Sequence, residues 1–116
     1  SSDVCSSDLH SFLVSTVHVS HAHGRRGSRW ADDEHAIAAM KARMPQNMRE
    51  GFAEIEHHYL AGPWVLGEHF SLADIYLFVV ASWLESAGVA IDEFPKVAAH
   101  TRRMLARPAV QQALLL

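Results

Sequence analysis

The sequence predicts an all-α fold, a bundle of five or six helices. Three features point there. Residues 67–83 carry a helix-start signal followed by a run too apolar for a surface helix. Residues 34–60 place apolar side chains in steps of three and four. No stretch alternates apolar and polar residues for a useful strand length.

Residues 1–9 repeat Ser-Ser-Asp and do not share the pattern that follows. They are set apart as a disordered or non-native leader, which leaves residues 10–116 as one helical domain. From His10 to His23, Phe12, Leu13, Val14, Val17 and Ala22 fit one side of a helix. No capping residue precedes it, so this first helix reads as truncated. Gly24 is its expected end, and Arg25 to Arg29 read as a basic, glycine-punctuated loop, either solvated or able to bind an anion.

Trp30-Ala31-Asp32-Asp33-Glu34 opens the second helix, with acids where the helix dipole favours them. Ile37, Met40, Met44, Met48, Phe52, Ile55, Tyr59 and Leu60 form its apolar face. Pro45 removes a backbone donor and crowds the preceding turn, which predicts a kink or two abutting helices. Gly62-Pro63 is the stop.

Trp64 to Gly67 is a short apolar connector to the central helix. Ser71 is a favoured N-cap and Asp74 stands three positions on, the spacing of a capping box. Phe70 and Ile75 have the spacing of a hydrophobic staple. Tyr76, Leu77, Phe78, Val79, Val80, Trp83 and Leu84 point in nearly every direction, so this helix is expected to be enclosed on most sides. Gly88 ends it. Pro95 and Pro108 each suit the first turn of a further helix, and Arg107-Pro108 separates the two.

Length and composition fit one globular domain: 116 residues, 49% hydrophobic and 20% charged. A net charge of −3 gives no general attraction to nucleic acid or anionic membrane. The single cysteine, Cys5, cannot form an internal disulfide, and no secretory signal opens the chain. Both features point to the cytoplasm.

The order of these signals resembles the C-terminal helical domain of cytosolic glutathione transferases. The residues that carry the resemblance are Gly62-Pro63-Trp64-Val65-Leu66-Gly67, then Phe70-Ser71-Leu72-Ala73-Asp74-Ile75-Tyr76-Leu77-Phe78. The tail Phe94-Pro95-Lys96-Val97, Arg103-Met104 and Arg107-Pro108-Ala109-Val110-Gln111 completes it. The texture is most similar to bacterial members near the beta class.

The resemblance implies a two-domain parent. A thioredoxin-like domain, absent here, would bind glutathione as co-substrate and activate its sulfur. The helical domain would supply one wall of a pocket for a small apolar electrophile and part of a homodimer interface. A metal, nucleic acid or membrane is not implied. By the same resemblance His18 and Trp83 are pocket candidates. Ser11, Thr16 and Val19 are weaker ones, because they stand where beta-class enzymes carry an Asn, a Glu and a Lys. An imidazole near a thiol can hydrogen-bond it and favour the reactive thiolate.

Ser71 and Asp74 read as structural, since the cap accounts for them. His57, His58 and His69 read as surface or loop residues. His18 and His21 share a helix face, but zinc requires more ligands than this pair supplies. Two other readings stay open: a non-catalytic transferase-like interaction module, and a histidine-rich metal-binding bundle.

Overall fold

The computed structural model describes residues 8–60 and 62–116, so Cys5 and most of the expected leader lie outside the described residues. Five α-helices are found among them. α1 covers residues 8–25, α2 Glu34–His58, α3 Leu72–Ala81, α4 Pro95–Leu105 and α5 Pro108–Leu114.

α1 takes in Asp8 and Leu9, and Leu9 is fully buried in the core. Its middle, Leu13–Val17, is a π-helical turn in which the His18 N–H bonds back to the Leu13 carbonyl. Ser15 and Ser20 hydroxyls return hydrogen bonds of 2.7 Å to the carbonyls of Ser11 and Thr16. Such back-bonding competes for the carbonyls of the ladder. The wide turn shifts the helical register. Leu13 and Val17 are buried as expected, whereas Val14 is left exposed.

Gly24 does not end α1; the helix runs on to Arg25. A Cβ at Gly24 would stand 2.6 Å from Met44 Cβ. On α2, a Cβ at Gly51 would stand 3.0 Å from Val17 Cγ2. The two glycines therefore let α1 and α2 approach closely, a role distinct from termination.

α2 starts where its acids predict. Asp33 is the N-cap, and its Oδ1 accepts the His35 N–H at 2.9 Å. The helix continues through Pro45 as one element rather than two. Met44 and Met48 are buried on either side of that residue. Their shared apolar face gains enough from packing to carry the helix across the missing bond, which costs about 3 kcal/mol in an exposed helix.

The connector is held by a tight turn in which Trp64 and Gly67 exchange backbone hydrogen bonds of 3.0 Å. Gly67 has φ of 91°, the left-handed region glycine tolerates. A Cβ at Gly62 would stand 2.9 Å from Gly67 Cα, so the two glycines pack backbone to backbone.

α3 has the predicted capping box of Ser71 and Asp74. Its burial is one-sided. Ala73, Asp74, Leu77, Val80 and Ala81 are buried, whereas Leu72 is 81% exposed, and Ile75 and Val79 are open too. The expectation that neighbours enclose most of this helix is corrected: they cover one face and leave an apolar stripe at positions 72, 75 and 79. Phe70 packs edge-on to Trp64 and lies 3.7 Å beneath the Arg107 guanidinium. Gly88, the expected end of this helix, does not end it: regular helix stops at Ala81, and residues 82–88 continue as tight turns. Gly88, at φ of 79°, closes them. Its N–H bonds to the Glu85 carbonyl and the Val89 N–H to the Leu84 carbonyl, the paired bonds of a Schellman closure.

α4 begins with Pro95, but its cap comes from elsewhere. Glu56 of α2 accepts the Lys96 and Val97 N–H groups at 2.8 and 3.0 Å. The core joins Leu13, Met48, Phe52, Ile55, Leu77, Leu84 and Val97 from four helices and the turn after α3.

Candidate functional site

The open stripe of α3 meets α1 just beyond the π turn. There His18 Nδ1 lies 3.0 Å from the Tyr76 hydroxyl. Trp83, in the turn after α3, sits edge-on to His18 with ring centroids 5.1 Å apart. With Leu72, Ile75 and Val79 these side chains line a groove of ≈ 440 Å³. Its walls are apolar apart from the His18 ring, the Tyr76 hydroxyl and His10 at one end. With Nδ1 committed to Tyr76, His18 presents Nε2 as the nitrogen left to take or give a hydrogen bond.

On the far side of Trp83 lies a second hollow of ≈ 390 Å³, lined chiefly by His21, Arg25, Arg26 and Ser86, with His18 and Trp83 shared between the two. His21 lies flat on the Trp83 indole, centroids 4.5 Å apart and planes 18° from parallel. Burial first, then the positive charges of Arg25, His18 and Arg26, hold its pKa below the usual histidine value.

His18 and Trp83, paired by the resemblance, are thus neighbours in space. Ser11, Thr16 and Val19 do not line their groove. Ser11 is exposed, and Thr16 borders a shallow depression between α1 and α2 with Ser20, Asn47 and Glu50. His57, His58 and His69 are exposed. Arg103 holds the Pro63 carbonyl at 3.0 Å, while Arg107 stacks on Phe70. Among the described residues no three His, Cys, Asp or Glu side chains are gathered to hold a metal ion. No helix among them is long and apolar enough to cross a membrane.

Asp74 does more than cap. Its Oδ2 accepts the Ser71 N–H at 2.8 Å, and its Oδ1 accepts the Val65 N–H at 2.9 Å and His100 Nε2 at 2.8 Å. Asp74 and His100 are both fully buried. Burial alone would raise the carboxyl pKa, but the bonds from His100, Val65 and Ser71 outweigh it and hold it below the usual carboxylate value. This carboxylate ties the connector, the start of α3 and α4 together behind the groove. His100 was not singled out by the sequence. The signal that marks it is its place three residues after Val97 and four before Met104, on the buried face of α4.

The family model for "Glutathione S-transferase, C-terminal domain" matches residues 37–103. Glutathione S-transferase GstA of Escherichia coli O157:H7 is 39% identical over 51 residues, which are 44% of this chain and 25% of that protein. Glutathione S-transferase GST-4.5 of Xanthomonas campestris pv. campestris is 34% identical over 67 residues, 58% of this chain and 33% of that protein. A crystal structure of a glutathione transferase homologue from Sulfitobacter, with bound glutathione, matches at a TM-score of 0.94 and 41% identity. That match covers 97% of this chain and 54% of the Sulfitobacter chain. The alignments thus span a quarter to a third of the curated relatives and about half of the solved chain.

Proposed function

This chain belongs to the glutathione S-transferase C-terminal domain family, and from that premise we propose that it is the helical half of a bacterial glutathione transferase. In this reading a thioredoxin-like domain upstream binds glutathione, and the full-length parent is a homodimer. The helical half forms the wall against which an apolar electrophile packs. One observation carries the proposal: the exposed apolar stripe Leu72, Ile75 and Val79 runs into His18 and Trp83. Leaving these side chains open to water forfeits part of the about 1.5–3 kcal/mol that full burial of each would contribute, most of it at Leu72. A flat ligand lying along the groove recovers part of it.

The chemistry in this reading is thiol addition. Glutathione gives up its thiol proton to solvent water, and the sulfur lone pair forms a C–S bond to the electrophilic carbon. The displaced electron pair leaves with the departing group or moves onto the acceptor. The His18 imidazole, anchored through Nδ1 by Tyr76, donates from Nε2 to the sulfur and favours the thiolate, the attacking species.

Two measurements test the proposal. The 116-residue chain alone should pass through immobilised glutathione, while the full-length parent is retained; retention of the chain alone overturns the division of labour. In the parent, Leu72→Asp should raise KM for an aryl halide and leave KM for glutathione unchanged. Equal effects on both substrates would remove the groove from the electrophile site.

A further inference from the structure

The apolar groove does not end at Trp83. Beyond that indole the second hollow has a different lining. His21 and Arg25 come from the last turns of α1 and Arg26 follows directly on it, and no carboxylate lines the hollow with them. Among the described residues the arginine ion pairs are Arg43 with Glu50 and Arg49 with Glu93; neither Arg25 nor Arg26 has such a partner. One cation in the last turn of a helix is accounted for by the macrodipole. Two guanidinium groups and two imidazoles around one hollow, against a single aromatic wall, are not. The two guanidinium charges repel, and a bound anion relieves that repulsion while the imidazoles offer it hydrogen bonds. The lowered pKa of His21 reflects burial and the positive field such an anion would meet.

We infer that this hollow is a subsite for the carboxylate of a flat aromatic substrate whose ring lies in the adjoining apolar groove. The inference rests on that groove being the electrophile pocket. The two hollows share His18 and Trp83, so they adjoin at those side chains. In this reading one molecule spans both. The ring packs against Leu72, Val79 and the Trp83 edge, and the anionic end meets Arg25 and Arg26. A guanidinium suits a carboxylate because its planar donors match two oxygens at once. Arg25 and Arg26 are then specificity-determining residues: they choose among electrophiles and do not touch the reacting carbon.

The test is calorimetric titration of the 116-residue chain with 2-naphthoate and with its neutral counterpart 2-naphthamide at low salt. Naphthoate is expected to bind roughly tenfold more tightly, the yield of two partly exposed charge pairs. The Arg25→Gln/Arg26→Gln double variant should bind both ligands equally, with unchanged naphthamide affinity as the sign that the fold is intact. Salt at about 0.5 M should narrow the preference. Leu72→Ser/Val79→Ser should weaken both ligands alike. Equal affinities in the unaltered chain, or a preference that survives in the arginine variant, overturns the subsite while the groove stands. If neither ligand binds, or the groove variant changes nothing, the electrophile pocket itself fails and takes the subsite with it.

Discussion

Asp74 offers the sharpest test of how this fold is held. Substitution by Ala leaves the Val65 N–H and His100 Nε2 buried without their acceptor and breaks the capping box at Ser71. Each orphaned buried donor costs about 1–3 kcal/mol. Loss of the cap adds about 1 kcal/mol. Asp74→Ala should therefore cost about 3–7 kcal/mol, a large part of the ~5–15 kcal/mol that holds a small domain folded. Asp74→Asn keeps the size and one oxygen but turns a second donor toward an existing one, and should cost about 2 kcal/mol. Ser71→Ala, which touches the cap alone, should cost about 1 kcal/mol. Urea unfolding followed by far-ultraviolet circular dichroism gives all three as midpoint shifts at constant slope.

The acid limb gives a second readout of the same site. The folded-state pKa of Asp74 lies below its unfolded value of 3.8. Its contribution is therefore present above that pH and is lost as pH falls through the folded value. Asp74→Asn should flatten the part of the acid transition below pH 3.8. If Asp74→Ala costs no more than Ser71→Ala, and the acid limb is unchanged in Asp74→Asn, the carboxylate is only a cap and its tie to α4 is wrong.

Three further substitutions probe other links. Gly24→Ala should lower the melting temperature by a loss of about 1–3 kcal/mol, because the added methyl meets Met44 across the α1–α2 contact; a higher melting temperature would mean that helix propensity outweighs packing there. Glu56→Gln should cost about 1–2 kcal/mol and raise hydrogen exchange at the Lys96 and Val97 amides, and unchanged protection at both would remove Glu56 as the cap of α4. In the full-length parent, His18→Ala should reduce turnover more than it reduces thermal stability, since the ring is exposed and bonds only Tyr76 among the described side chains. Equal turnover with a lowered melting temperature would assign His18 a packing role.

Signals that act within one helical turn were legible in the sequence. Acids open α2, Ser71 and Asp74 cap α3, and Pro95 and Pro108 each open a helix. Each depends on groups at most a few residues apart, so spacing suffices to find it. The neighbourhood of His18 and Trp83 came from a family resemblance rather than from spacing, because 65 positions separate them in the chain.

What the sequence determined alone is the set of helices, their starts and most of their apolar faces, since backbone satisfaction and periodicity are local demands. Tertiary structure decided the rest. It turned Asp74 from a cap into a buried junction by bringing up His100, and it set Glu56 at the start of α4 from forty residues away. It made Gly24 a contact where a stop was expected, and it chose which side of α3 faces water. Those outcomes depend on which helix lies beside which. Local preferences leave that open, and only the packing of the whole chain resolves it.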